Sequence, residues 1–251
     1  MASSTQRVTA AVLIIGNEIL SGRTQDTNLS HLAKTLNGYG IQVREARTVP
    51  DIEEEIVDAL NALRARYDYV FTTGGIGPTH DDITADCVAK AFGVPLVEND
   101  EIAAMLRKRE APPEIMAMRL RMARIPEGGD LIRCESGPPG FFIGNVYVMA
   151  GIPRIMQSML ASLDGKLRRG ETLVSRGINA YVPESHVAKP LGELQARYPH
   201  IDLGSYPFYR NDRYGTTLII RGSDGPDLHA MYDELWRLVE QLDGSPEDEP
   251  V

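Results

Sequence analysis

The run VTAAVLIIG, Val8 to Gly16, constrains the fold more than any other stretch, because it is apolar at nearly every position rather than at alternate ones. A strand with one wet face alternates, whereas one that is apolar on both faces has to be covered on both, as in a parallel sheet held between helices. The next segments keep to that plan. Leu29, Leu32, Ala33 and Leu36 recur at helical spacing, IQVREARTV reads as a strand, Ile52, Ile56, Ala59, Leu60 and Leu63 recur helically again, and YDYVFTT is a further strand. This order implies right-handed crossovers and a mostly parallel sheet. Thr27 or Asn28 is placed to cap the first helix, and Asp51 with Glu54 makes a capping-box pair for the second.

Two more helical segments follow, NDEIAAMLRKRE and PPEIMAMRLRMARI, and then GPPGFFIGNVYVMAGIP offers two short strands about a Gly-Asn turn, with Pro153 opening a helix. From Glu171 the order changes to β-α-β-β-α, and roughly 80 residues are enough for a subdomain. The expected organisation is a three-layer α/β domain with a mostly parallel sheet over 7–168 and a small α+β domain over 169–242. A flexible acidic tail is expected over 243–251, because DGSPEDEPV is charged and carries proline.

With 251 residues, 43% of them hydrophobic, the chain can bury a substantial core. Its net charge of −9 argues against nucleic acid, which needs clustered Lys and Arg. The basic runs LRKRE and MRLRMAR are interleaved with apolar residues at helical spacing, so they read as solvated helix faces, with an anion or partner patch as the alternative. No stretch approaches the roughly 18 apolar residues of a membrane span, and MASSTQR passes straight into the first strand, so no membrane is expected and the cytoplasm is the expected location. Cys87 and Cys134 lack a CxxC spacing and read as free thiols.

The chemistry concentrates in YVFTTGGIGPTHDDITADCVAKAFGVPL, where a strand ends in glycines and two aspartates follow. GGIGP matches neither GxGxxG nor GxxxxGK[ST], and no lysine is present to reach a phosphate. Gly74, Gly75 and Gly77 instead allow a tight path with N–H groups turned to a ligand. Thr72, Thr73 and Thr79 add hydroxyls, Pro78 shares the loop, and the following helix adds its positive end. Two carboxylates beside an anion site need a counterion: Mg²⁺ on Asp81 and Asp82 would reconcile them, and plain helix capping is the structural alternative. Asp86 could line the same side; His80 could touch ligand, move a proton or stand at the rim. The other strand end, IIGNEILSGRTQDTN, crowds Asn17, Glu18, Ser21, Thr24, Asp26 and Asn28 behind a buried strand, as a binding loop or as ordinary turns.

Together IIGNEILSGRTQDTN, FTTGGIGPTHDDITADCVAKAFGVPL and VYVMAGIPRIM resemble the MoaB/Mog-type molybdopterin-binding fold, in particular the N-terminal domain of the competence/damage-inducible protein A family. The later β-α-β-β-α segment looks like the small domain that accompanies this fold there and in eukaryotic FAD synthases. The resemblance implies a pocket for a phosphorylated ligand, namely ADP-ribose, a dinucleotide or a pterin such as molybdopterin, often with Mg²⁺. It implies either pyrophosphate hydrolysis or molybdenum cofactor biosynthesis; a nucleotide sensor or assembly role without hydrolysis is the third reading. On this chain the implied catalytic groups are Asp82, Asp81 and Glu18, with the metal on Asp81 and Asp82. The ligand contacts that the resemblance implies are Asn17, Ser21, Gly74, Gly75, Gly77 and Thr84, and the neighbouring residues Thr24, Asn28, Thr73, Pro78, Thr79, Gly151 and Pro153 are expected to join them. Asn17 stands where many relatives carry aspartate, and Ile155 where glutamate is common. A homodimer is expected through the Glu101 to Ile125 helices or the last helix.

Overall fold

The apolar run becomes β1 (Val8–Ile15), and it is buried because a separate core lies against each face. Ala11, Leu13 and Ile15 enter one core and Val8, Ala10, Val12 and Ile14 the other, the parity a strand dictates. The computed structural model describes residues 7–135, 137–210 and 212–250. The opening Met1 to Gln6, expected as a lead-in to β1 rather than a signal segment, lies outside the described residues, as does Val251 of the tail. Two compact units meet in sequence at Gly170 and Glu171.

In the first unit β1 is followed by α1 (Asn17–Leu20), α2 (Asn28–Gly38), β2 (Ile41–Val49), α3 (Glu53–Arg66), β3 (Tyr69–Thr73) and α4 (Thr84–Phe92). Then come β4 (Leu96–Glu98), α5 (Asp100–Arg107), α6 (Pro113–Leu120), a 3-10 turn (Arg121–Ala123), β5 (Arg124–Pro126), β6 (Asp130–Ile132), β7 (Gly140–Ile143), β8 (Val146–Met149) and α7 (Pro153–Ala161). The main sheet has the order β2-β1-β3-β8-β7-β6. Its β2-β1-β3-β8 part is parallel; β7 lies antiparallel to β8, to which the Gly144 turn joins it, and β6 lies antiparallel to β7. α2 and α7 bring Leu32, Leu36, Met156 and Leu160 to one face; α3, α4 and α5 bring Ile56, Leu60, Leu63, Val88 and Ile102 to the other. The result is the three-layer α/β arrangement, in which burying one leucine such as Leu60 stabilises by about 1.5–3 kcal/mol.

Three local expectations are corrected. α2 is capped by neither Thr27 nor Asn28; Asp26 Oδ1 accepts from the Leu29 N–H at 2.9 Å instead. Asp51 forms no capping box, because its Oδ2 accepts from the Asn17 N–H at 2.9 Å and ties the α1 turn to the end of β2. The helix expected to reach Ile125 stops at Leu120, since Ala123 and Ile125 are drawn into the core and β5 pairs with β4.

The second unit is β9 (Leu173–Ala180), α8 (Glu184–Arg197), β10 (Asp202–Arg210), β11 (Arg213–Ser223), α9 (Pro226–Gln241) and β12 (Glu247–Glu249). Its antiparallel sheet has the order β10-β11-β9-β12, and α8 and α9 pack on each other and on the sheet around Ile178, Leu218, Leu194 and Leu235. The tail is a correction: Glu247 to Glu249 form β12 on the edge of β9 rather than a flexible end. The edge supplies backbone partners, while the Tyr232 hydroxyl donates to Asp248 and the Asn179 amide to Glu249, so the acidic side chains meet fixed donors. Among the described residues no helix is long and apolar enough to cross a membrane.

Candidate functional site

Parallel strands leave their sheet at one edge, so β1, β3 and β8, which run side by side, deliver three loops to one place. The loop after β3 is fixed by sterics. Gly74 has φ 104° and an added Cβ would stand 2.1 Å from the Ile15 carbonyl oxygen; Gly75 has φ 66° and its Cβ would stand 2.2 Å from Thr84 Oγ1. Only glycine fits either position without moving backbone or a buried threonine. Thr84 clasps this turn from beneath: its hydroxyl donates to Gly74 O and its N–H to Gly75 O, both at 3.0 Å.

Asp82 closes the loop from the other end. Its Oδ1 accepts the Gly77 N–H at 2.7 Å, its Oδ2 accepts the Thr79 N–H at 2.8 Å, and the Thr79 hydroxyl donates to the same oxygen. Neither aspartate caps α4, whose N-cap is Ile83 without a side-chain bond. The expected fan of ligand-facing glycine amides is therefore narrower: the Gly74 N–H goes to Met149 O and the Gly77 N–H to Asp82. The amides of Gly75 and Ile76 take part in neither closure.

Around this loop lies a cavity of about 540 Å³, within the range of small-molecule sites. Of the residues named from sequence it gathers Glu18, Thr24, Gly74, Gly75, Gly77, Pro78, Asp82, Asp86, Gly151 and Pro153 in its wall. A smaller recess of about 70 Å³ beside it is lined by Thr24, Asp26, Asn28 and Thr73 as well as Glu18, Gly74, Gly151 and Pro153. Asn28 is 5% exposed; its Nδ2 donates to Gly151 O at 2.8 Å, and its Oδ1 is buried without a donor. That side chain braces the β8 loop from α2 and keeps one acceptor unused.

Other expected residues stand outside both walls. Thr84 is the clasp already described. The Ser21 hydroxyl donates to Glu18 O at 3.2 Å within its own turn, and the Asn17 N–H is held by Asp51. Thr79 serves Asp82. Asp81 is half exposed beside His80, whose ring is almost fully exposed.

Sequence reasoning missed the opposite wall. Arg121, Met122 and Arg124 reach the cavity from the 3-10 turn and β5, and Ile76, Pro138, Pro139, Phe141, Ile152 and Met159 give it an apolar bed, joined by Ile155, which the sequence had singled out. The signal was present in MRLRMAR, where helical spacing made the arginines look solvated. Arg124 pairs with Asp86 at 3.2 Å, yet Nε of both arginines is buried without a partner. Such N–H groups cost about 1–3 kcal/mol each when unpaired, and more when charged. Departure from the helix after Leu120 is what turns them inward.

The expected Mg²⁺ does not fit the aspartate pair as a resident ion. Mg²⁺ needs oxygens free to form a near-octahedral shell, whereas Asp82 accepts three donors of its own loop and Asp81 lies outside the cavity wall. Among the described residues no group of three or more His, Cys, Asp or Glu is arranged to hold a metal. The paired carboxylates at the glycine loop are explained instead by loop closure through Asp82. Both cysteines are free, and burial pushes the Cys87 thiol up to about 12.

Residues 11–167 match the family described as probable molybdopterin binding domain, and residues 172–243 match the FAD synthase middle domain. A protein of Archaeoglobus fulgidus is 32% identical over 200 residues, covering 78% of this chain and 84% of its own. A probable FAD synthase of Caenorhabditis elegans is 30% identical over 261 residues, 93% of this chain but 50% of its own, so this chain spans about half of that relative. The crystal structure of the protein CinA with unknown function from Thermoplasma acidophilum superposes with a TM-score of 0.58 at 34% identity, covering 63% of this chain and 96% of that one.

Proposed function

Because this chain belongs to the probable molybdopterin binding domain family, we propose that its first unit binds a phosphorylated small molecule in the cavity at the ends of β1, β3 and β8. The observation that carries this reading is one cavity that joins a glycine turn, two arginines with unpaired Nε groups and an apolar bed broad enough for a flat ring. The amides of Gly75 and Ile76 and the N-terminus of α4 take phosphate oxygens; Phe141, Ile155 and Met159 take the ring. ADP-ribose or a related dinucleotide is the first ligand class, with cleavage of its pyrophosphate bond as the activity.

For that cleavage the chain offers Glu18 in the cavity wall to orient and polarise a water, while Asp82 acts at one remove by holding the loop. Any Mg²⁺ enters as the counterion of the ligand's own phosphates. The test is a turnover screen of the purified protein against ADP-ribose, FAD and NAD, with and without Mg²⁺, read by separating the products. Cleavage that falls at least about a hundredfold in E18Q supports the hydrolase. Saturable binding without turnover leaves a nucleotide sensor, and selective retention of a pterin moves the site to molybdopterin, a reading that the family description favours.

A homodimer is proposed through α6, which has no buried residue and exposes Ile115 and Met118. α9 is less suited, because Leu228, Met231, Leu235 and Val239 already cover its own sheet. Solution mass across a range of protein concentrations, with I115E+M118E as the control, decides between dimer and monomer.

A further inference from the structure

A pterin monophosphate carries one phosphate and a dinucleotide two linked phosphates, so the two ligand classes differ in what they ask of the cavity wall. We infer that Arg121 and Arg124 form a second anion subsite which makes the cavity selective for a diphosphate over a monophosphate. The inference rests on the cavity holding a phosphorylated ligand, and adds what part of that ligand the chain recognises.

Ala123 and Ile125 are anchored in the core, and the change from α6 through the 3-10 turn to β5 leaves Arg121 and Arg124 in the cavity wall. A guanidinium stays charged and presents donors in a fork that suits two oxygens at once. Here both Nε groups are closed off from solvent, so a ligand meets these side chains only where they line the cavity. Asp86 engages Arg124 through Nη2 at 3.2 Å, and Arg121 has no such partner among the described residues. Of the three carboxylates in the wall, Glu18, Asp82 and Asp86, Asp82 is occupied by its own loop and Asp86 by Arg124, and among the described residues none forms an ion pair with Arg121. A single phosphate on the glycine turn satisfies Gly75 and Ile76 and leaves the arginines as they are. A second phosphate linked to the first supplies oxygens for them without a second ligand having to be captured.

Asp86 then sets the strength of this subsite, because it competes with the ligand for Arg124. Its removal should tighten diphosphate binding, a direction opposite to that of the arginine substitutions.

The experiment is calorimetric titration of the full chain with AMP, ADP and ADP-ribose, for the unaltered protein, R121M+R124M and D86N, with circular dichroism to verify folding. The unaltered protein is expected to bind ADP and ADP-ribose at least about tenfold tighter than AMP. In R121M+R124M the ratio of ADP to AMP affinity should fall towards one, and in D86N it should widen. Equal affinity for AMP and ADP in the unaltered protein overturns the inference and leaves the phosphate reading standing, as does an advantage that survives the double substitution. If the double variant does not fold, an unchanged ratio in D86N overturns it. Absence of binding by all three nucleotides overturns the nucleotide reading and this inference with it.

Discussion

In the first unit β1, β3 and β8 run parallel and end side by side, whereas in the second β9, β10 and β11 run antiparallel and β10 turns directly back into β11. The parallel strands need crossover helices, so each loop leaves at the same edge and three of them must share one space. Glycine is placed there under compulsion, at Gly74 and Gly75 with φ 104° and 66°. In the second unit the left-handed positions fall on Asp212, Asp243 and Ser245, polar residues of ordinary turns. Its hollows lie between α8 and β10 or between α8 and α9, away from any converging strand ends. Strand direction, more than composition, decides where this chain makes a site.

The largest effect should come from setting one glycine of each kind against the other. G74A puts a Cβ at 2.1 Å from a carbonyl oxygen and is expected to cost about 3 kcal/mol or more. G225A, at an extended φ of −177° with nothing within 4 Å of the added carbon, should change stability by less than about 1 kcal/mol. Urea unfolding of the two variants breaks the comparison if their midpoints shift alike. A step smaller, D82N removes the charge that accepts three loop donors and should cost about 1.5–3 kcal/mol of loop stability. Hydrogen exchange at the Gly77 and Thr79 amides should quicken while exchange in β9 to β11 stays unchanged.

Alkaline titration sharpens the second unit. Burial, then the bond to Asp248, pushes the Tyr232 hydroxyl up to about 12. A folded value above the unfolded one, about 10, means that the unfolded chain loses this proton first, so stability falls as pH rises from about 10 towards 12. Y232F should show less of that fall in thermal melts between those two pH values. The smallest effect concerns the thiols: Cys87 is fully buried and its thiol is raised to about 12, so alkylation of the folded protein at pH 8 should modify Cys134 alone. Modification of Cys87 at the same rate as Cys134 would mean that the core beneath α4 opens readily.

Much of this was legible in the sequence, for reasons that differ by residue. β1 was readable because burial on both faces writes itself as an unbroken apolar run, and the glycine turn because strand, turn and helix follow within a few residues. The β-α-β-β-α order of the second unit was readable from local periodicity alone. Arg121 and Arg124 were not, since their inward turn depends on β5 pairing with β4, a contact helical spacing cannot anticipate. Asp51 was read as part of a capping box, and Asp82 as a metal ligand with helix capping as the alternative, because their partners, the Asn17 amide and the Gly77 and Thr79 donors, are set by the folded loops. The tail was misread because its order comes from the free edge of β9 rather than from its own composition.

The closure of the glycine loop by Asp82 also bears on how quickly and with what entropy a ligand is captured. A loop that shapes itself only around its ligand loses chain freedom at the moment of binding, on the order of 1–2 kcal/mol for each residue fixed. Here that loss falls on folding, since Gly77 and Thr79 are pinned to Asp82 by bonds within the loop itself. Capture should then be a single bimolecular step whose rate rises linearly with ligand concentration, without the plateau that marks a slow rearrangement of the loop.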